Sequence, residues 1–130
     1  MTDPAAAPAP LRVLLVDPDD RIRESLAGLL RIGDRCFVAG SAGTADAAVR
    51  LAVECAPEVV VVDPRLPGLD AGAALIARLR EVCPATRILV LNWSETAEIE
   101  TSGADAYTRK TFRPHELIDA VVSTSGRSLL

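Results

Sequence analysis

A run of four valines at positions 59–62 is the feature that most constrains the fold of this chain. β-Branched side chains favour strands, and a strand with one face in water shows alternating apolar and polar residues. A continuous apolar run is instead typical of a strand covered on both faces, as in a parallel sheet. The run ends at Asp63, which Pro64 and Pro67 follow. The sequence therefore predicts a carboxylate at the carboxyl end of a buried strand.

Similar runs recur along the chain and alternate with helical patterns. The predicted strands cover residues 11–16, 36–40, 58–62, 87–91 and 104–108. Between them, apolar residues recur at intervals of three and four, as on one face of a helix. Thr44 is placed to cap the second helix and Pro114 to begin the last one, while the pattern at 94–103 is the weakest. This alternation predicts an α/β fold, a three-layer doubly wound sheet of five parallel strands.

Length and charge restrict the function classes to which this chain can belong. Its 130 residues, 49% of them hydrophobic, fit a single domain with an aliphatic core. The formal charge of −4 argues against nucleic-acid binding through this domain. It also argues against attraction to anionic membranes. We therefore expect neither nucleic acid nor a membrane surface to be a partner of this domain.

The domain boundaries and the compartment are also predicted from composition. Residues 1–10 are rich in Ala and Pro and predict a flexible tail, residues 11–123 form the domain, and residues 124–130 form a C-terminal tail. No signal-peptide pattern is present, and no apolar stretch reaches the roughly 18 residues of a membrane span. The spacing of the cysteines is typical of reduced thiols in a cytoplasmic protein. These cysteines are Cys36, Cys55 and Cys83.

Four polar residues stand at or just beyond predicted strand ends. They are Asp17, Asp63, Asn92 and Lys110. Carboxyl ends of parallel strands share one edge of the sheet, where doubly wound folds bind ligands. Two neighbouring carboxylates can hold Mg²⁺, which needs only one or two of them when a phosphate also binds. A carboxylate can also attack phosphorus and form an aspartyl-phosphate, whose added charge a nearby lysine stabilises.

Four blocks of the sequence resemble the signature blocks of the response regulator receiver domain family. They read "LLVDPDDRIRESL", "VVVVDPRLPGLDAG", "ILVLN" and "GADAYTRKTF", and the match covers about residues 11–123. The resemblance implies a flavodoxin-like fold with strand order 2-1-3-4-5 and no enzymatic activity. It also implies that a sensor histidine kinase or a phosphotransfer protein supplies a phosphoryl group, and that the domain signals to a downstream protein partner.

The same resemblance implies roles for individual residues. Asp63 corresponds to the phospho-acceptor. Asp17, Asp63 and the backbone carbonyl of Arg65 correspond to ligands of Mg²⁺. The residues that correspond to the switch and phosphoryl-contacting positions are Asn92, Tyr107 and Lys110.

The chain departs from the family pattern around the predicted metal site. Pro18 stands where a second acidic residue is usual after the first strand, so we expect weak Mg²⁺ binding. Asp19 and Asp20 follow, but neighbouring side chains on an extended backbone point apart. Neither residue is therefore an automatic replacement.

Further departures lie at the switch positions. Asn92 replaces the usual Thr or Ser, and Trp93 follows it as a bulky residue that would roof the site or pack in the core. Thr111 replaces the proline that usually follows the lysine, which leaves open whether the Lys110–Thr111 bond is cis or trans. Tyr107 lies only 15 positions after Asn92, a spacing about one helical turn shorter than usual.

These departures leave two hypotheses open. In the first, Asp63 is phosphorylated. In the second, the domain is an atypical pseudo-receiver that binds proteins independently of phosphorylation.

Two other classes of protein fit the sequence less well. A cofactor-binding flavodoxin-like domain needs a Gly-, Ser- and Thr-rich phosphate loop after the first strand, where this chain has the acidic "VDPDDR". A phosphohydrolase that uses Asp63 as nucleophile needs a general acid two residues later, where Arg65 stands. The remaining charged feature is an arginine-rich face of the first helix, which we expect to be solvated. Its arginines are Arg21, Arg23, Arg31 and Arg35.

Overall fold

A computed structural model of the chain describes residues 9–67, 71–92 and 103–127. Its strands are β1 (Leu11–Val16), β2 (Cys36–Ala42), β3 (Val59–Val62), β4 (Arg87–Asn92) and β5 (Ala106–Arg109). Its helices are α1 (Asp20–Leu30), α2 (Ala45–Cys55), α3 (Ala71–Val82) and α4 (Pro114–Ser125), with a short 3₁₀ helix at Ile32–Asp34. The alternation of strands and helices predicted from the sequence is thus present.

The five strands form one sheet in the order β2-β1-β3-β4-β5, and every neighbouring pair is parallel. This confirms the predicted fold class and strand order. β1 and β3 lie side by side at the centre, with Val13 opposite Val59 and Val16 opposite Val62. Their carboxyl ends, and the residues that follow them, therefore lie next to each other.

The four valines of β3 divide the core between the two faces of the sheet. Val59 and Val61 pack with apolar residues of α1 and α4, whereas Val60 and Val62 pack with those of α2 and α3. All four side chains are at most 2% exposed. Each buried valine contributes about 1.5 kcal/mol to folding. The continuous run is therefore explained by a strand that helices cover on both faces.

The starts and ends of the helices follow local signals. The Thr44 side chain accepts a hydrogen bond from the backbone N–H of Ala47, as predicted for a cap of α2. Pro114 begins α4, where its missing N–H removes no helical hydrogen bond. Helix α3 ends at Val82, two residues before Pro84.

Some boundaries differ from the prediction. β2 continues to Ala42, and α4 continues to Ser125, past the boundary predicted at residue 123. Beyond that helix, Arg127 donates from Nε and Nη2 to the Glu58 carboxylate at 3.0 and 2.6 Å. The residues from 124 to 127 therefore belong to the folded domain. Most of the weak helical pattern at 94–103 lies outside the described residues.

Two further sequence predictions concern cysteines and membranes. Cys36, Cys55 and Cys83 form no disulfide. Among the helices of the described ranges, none combines the length and the apolar character that a bilayer crossing needs.

Asp105 fixes the start of the edge strand β5 against β4. Its backbone N–H donates to the Ile88 carbonyl at 2.9 Å, and its Oδ2 accepts from the Ile88 N–H at 2.7 Å and from Arg80 at 2.8 Å. Burial favours the neutral acid, but these donors outweigh it and lower the pKa of Asp105. The anchored start sets the register that brings Lys110 to the opposite end of β5.

Gly72 holds the start of α3 close to the loop that follows β3. A Cβ atom at position 72 would lie 2.6 Å from the backbone oxygen of Pro64, a distance that requires the backbone to shift. A glycine at this position therefore allows α3 to pack directly against the residue after Asp63.

We expect Gly72→Ala to lower the free energy of unfolding by about 2 kcal/mol, because the added methyl group overpacks this contact. The matched control is Gly28→Ala in α1, where a Cβ would meet nothing within 4 Å. That change should raise stability by about 0.8 kcal/mol through helix propensity. Chemical denaturation of both variants tests the pair, and equal effects would show that the close approach at Gly72 is unimportant.

Candidate functional site

The backbone places three charged residues at one edge of the sheet, each one residue beyond a strand. The Asp17 N–H donates to the Ala42 carbonyl at 3.0 Å, and the Asp63 N–H donates to the Val16 carbonyl at 2.8 Å. The Lys110 N–H donates to the Asn92 carbonyl at 2.6 Å. Because these bonds continue the strand ladders, the Cα positions of the three residues are fixed by the sheet.

The side chains of the same three residues form a buried cluster. Lys110 Nζ donates to Asp17 Oδ2 at 2.7 Å and to Asp63 Oδ2 at 2.6 Å. The lysine side chain is 0% exposed, and the two aspartate side chains are 2% and 1% exposed. One ammonium group therefore bridges two carboxylates that are withdrawn from water.

The charges in this cluster depend on one another. Two carboxylates that share one ammonium group in a medium of reduced dielectric repel each other strongly, and each loses hydration on burial. Burial by itself raises the pKa of Asp63, but hydrogen bonds from Arg65 and Lys110 outweigh it and lower the pKa. Asp63 is therefore an ionised carboxylate at neutral pH.

The Arg65 side chain folds back onto Asp63. Arg65 Nη2 donates to Asp63 Oδ2 at 2.9 Å, Nε donates to Oδ1 at 3.2 Å, and the Arg65 backbone N–H donates to Oδ1 at 2.8 Å. The sequence reasoning assigned only the Arg65 carbonyl and missed this side chain. The spacing of two residues was the available signal, since an aspartate commonly accepts from the N–H two residues later in a turn.

The side chains of Asp19 and Asp20 make contacts away from the predicted metal site. Asp19 Oδ1 accepts from the N–H groups of Arg21 and Ile22 and so caps α1. The Asp20 side chain is 84% exposed and pairs with Arg23. Both side chains are thus engaged outside the Asp17 and Asp63 pair.

The donor set that remains is small but compatible with Mg²⁺. Asp17 and Asp63 present carboxylate oxygens at adjacent strand ends, and Mg²⁺ often uses one or two carboxylates together with waters and a phosphate. Within the described residues, no group of three or more His, Cys, Asp or Glu side chains is close enough to hold a metal ion. The residues therefore fit a magnesium site with a minimal number of protein ligands.

Arg23 belongs to the surroundings of the site, which corrects its predicted place on a solvated face. Its Nη1 donates to the Asp17 backbone carbonyl at 2.6 Å, and its side chain is only 17% exposed. A Cβ at Gly43 would lie 3.0 Å from this nitrogen. The glycine thus leaves room for the arginine to support the loop after β1.

The predicted switch residues other than Lys110 are less buried than the cluster of Asp17, Asp63 and Lys110. Asn92 is half-buried at the end of β4, and Tyr107 is 38% exposed on β5, where it lines a groove of about 430 Å³ between β5 and α4. The peptide bond between Lys110 and Thr111 is trans. Thr111 Oγ1 donates to Glu116 at 2.9 Å near the start of α4. Trp93, predicted either to cover the site or to pack in the core, lies outside the described residues.

We expect Lys110→Met to lower the free energy of unfolding at neutral pH by about 3 kcal/mol, because it leaves two buried carboxylates without their shared cation. Adding Asp17→Asn should recover part of that loss, since it removes one of the two repelling charges. Denaturant titration of the single and double variants measures both effects. Additive losses in the double variant would contradict a shared charge cluster.

Comparisons with known proteins agree with this fold. Residues 13–122 match the family model of the response regulator receiver domain. The transcriptional regulatory protein MctR of Rhizobium johnstonii is 30% identical over 123 residues, which cover 89% of this chain and 56% of that protein. The chain spans about half the length of the first curated relatives that it matches.

Solved structures show the same similarity. A two-component response regulator of the LuxR family from Aurantimonas sp. SI85-9A1 superposes with a TM-score of 0.81 at 30% identity, over 91% of this chain and 87% of that one. The response regulator domain of Thermotoga maritima CheB gives a TM-score of 0.80 at 25% identity, over 92% and 98%. With the family match over most of its length, this chain belongs to the response regulator receiver domain family of two-component signalling.

Proposed function

We propose that Asp63 accepts a phosphoryl group from a histidine kinase or a phosphotransfer protein in the cytoplasm, and that the modified domain signals by contact with a downstream protein. The observation that carries the proposal is the buried, ionised Asp63 carboxylate held 2.6 Å from Lys110 Nζ at the end of β3. In this proposal the domain is a phosphoryl acceptor rather than an enzyme, and it makes no contact with nucleic acid.

The chemistry follows from the state of Asp63. An oxygen of the ionised carboxylate supplies an electron pair to phosphorus, and the bond between phosphorus and the donor's leaving atom breaks, with its electrons going to the leaving group. The aspartyl-phosphate carries about two negative charges at neutral pH. Lys110 Nζ already lies against the Asp63 carboxylate and stabilises the added charge without a large rearrangement.

Asp17, Asp63 and the Arg65 carbonyl are the groups that would hold Mg²⁺ in this function. The ion would supply positive charge to the oxygens of the transferring phosphoryl group. We propose weak binding, because Pro18 supplies no carboxylate and Asp19 is used as the cap of α1.

The function is tested by incubating the protein with acetyl phosphate and Mg²⁺ and measuring intact mass. We expect one added phosphate in the wild type and none in Asp63→Asn. Asp46→Asn is the matched control, because Asp46 is 90% exposed and pairs with Arg78 away from the cluster, and it should be labelled normally. The absence of an adduct in the wild type at high Mg²⁺ concentration would contradict the proposal.

The second candidate is a protein-binding module that works without phosphorylation. Pro18, which removes an acidic ligand, is the observation that favours it. Under this hypothesis no adduct forms, and Asp63→Asn leaves affinity for the protein partner unchanged. Under the first hypothesis, phosphorylation changes that affinity, and Asp63→Asn removes the change.

We expect Pro18→Asp to bind Mg²⁺ more tightly than the wild type, by about tenfold, because a third carboxylate joins the two that are present. Pro18→Ala is the control, since it removes the proline ring without adding charge and should leave the affinity unchanged. Calorimetric titration with MgCl₂ compares the three proteins. If alanine and aspartate act alike, the gain comes from the backbone and not from the carboxylate.

A further inference from the structure

In the described part of the chain, four N–H donors reach the Asp63 carboxylate. Oδ1 accepts from the Arg65 backbone N–H and Nε, while Oδ2 accepts from Arg65 Nη2 and Lys110 Nζ. A carboxylate offers about four lone-pair positions. Each oxygen thus has two donors, and any new ligand of Asp63 has to replace one of them.

The four donors differ in how easily they can leave. The Lys110 side chain is 0% exposed and is also bound to Asp17, and the Arg65 backbone N–H is part of the loop. The Arg65 side chain is 54% exposed, although the Asp63 side chain that it contacts is 1% exposed. The guanidinium is therefore the most exposed of these donor groups, and its departure from Asp63 would leave the buried Lys110 contacts in place.

Charge balance points to the same side chain. Asp17 and Asp63 carry two negative charges, and Lys110 and Arg65 supply two positive charges within 2.9 Å of a carboxylate oxygen. A divalent cation that joined this neutral set would create a net positive charge of two in a buried cluster. Departure of the guanidinium lowers that excess to one and frees one acceptor position on each oxygen of Asp63.

We propose that the Arg65 guanidinium is a reversible latch that competes with a divalent cation for the Asp63 carboxylate. This inference rests on the proposed function in that the acceptor site is taken to be the cation site. The latch is closed when the guanidinium lies on Asp63, and a cation gains access to the carboxylate when the side chain turns into water. Arg65 is a positioning residue in this scheme and does not itself react.

The size of the effect is set by the exposure of the arginine. A half-exposed ion pair is worth about 1 kcal/mol, which corresponds to about fivefold in an equilibrium constant. We therefore expect Arg65→Met to tighten Mg²⁺ binding about fivefold. Arg65→Lys should fall between the two proteins, because an ammonium keeps the charge but cannot donate to both oxygens as a planar fork does.

The experiment is a calorimetric titration of MgCl₂ into wild type, Arg65→Met, Arg65→Lys and Arg78→Met at fixed ionic strength. Arg78 is the matched control, because its side chain is 46% exposed and pairs with Asp46 at 2.9 Å, so that its removal changes the net charge equally. We expect its Mg²⁺ affinity to equal that of the wild type. Far-UV circular dichroism checks that all four proteins are folded.

Each outcome bears on the latch. Tighter binding in Arg65→Met than in the wild type and Arg78→Met, with Arg65→Lys between them, supports it. Equal affinities in all four proteins, weaker binding in Arg65→Met, or the same gain in Arg65→Met and Arg78→Met would overturn it, as would the lack of saturable binding in every protein. The titration contains no phosphodonor, so a latch that holds in a protein that acetyl phosphate fails to label would leave this inference standing and remove the proposed function.

Discussion

The ammonium of Lys110 between the carboxylates of Asp17 and Asp63 is the interaction on which the rest of the site depends. Neighbouring strands lie about 4.8 Å apart, and β5 is two positions from β3 and three from β1. Only a long side chain reaches across that distance, and a lysine also brings the charge that the two acids require. The contact joins the ends of three strands, and its hydrogen bond to Asp63 helps to lower the pKa of that buried carboxyl, so that Asp63 is ionised at neutral pH.

The surrounding fold fixes the atoms that this contact needs. Asp105 anchors the amino end of β5 against β4 and so determines where Lys110 emerges. Gly72 lets the start of α3 approach Pro64, which follows Asp63 directly. Contacts at both ends of the sheet therefore position Asp63 and Lys110, and they include close packing at Gly72 as well as hydrogen bonds.

The fold and the strand ends could be predicted because their signals are periodic and local. Continuous apolar runs identified the buried strands, and the parallel arrangement then brought Asp17, Asp63 and Lys110 to one edge. The Arg65 contact could not be found in that way. Beyond the last residue of β3 the alternation of side-chain directions stops, and a turn decides where each side chain points. The same is true of Asp19, whose choice between capping a helix and binding a metal depends on the backbone angles after Pro18.

Pro18 and Arg65 both make the charge around Asp63 less negative, although they do so by different means. Pro18 removes a carboxylate from the cluster, and Arg65 adds a cation to it. We propose that two acids against two cations leave the cluster with little attraction for a divalent ion, whereas an additional acid or one arginine fewer would leave a net negative charge. Hydrogen bonds from Arg65 and Lys110 lower the pKa of Asp63, so that its ionisation requires no metal ion. Under the proposed function, Asp63 therefore keeps its reactive ionisation state while the Arg65 side chain restricts access to it, so that the ionisation of Asp63 does not depend on the binding of a cation.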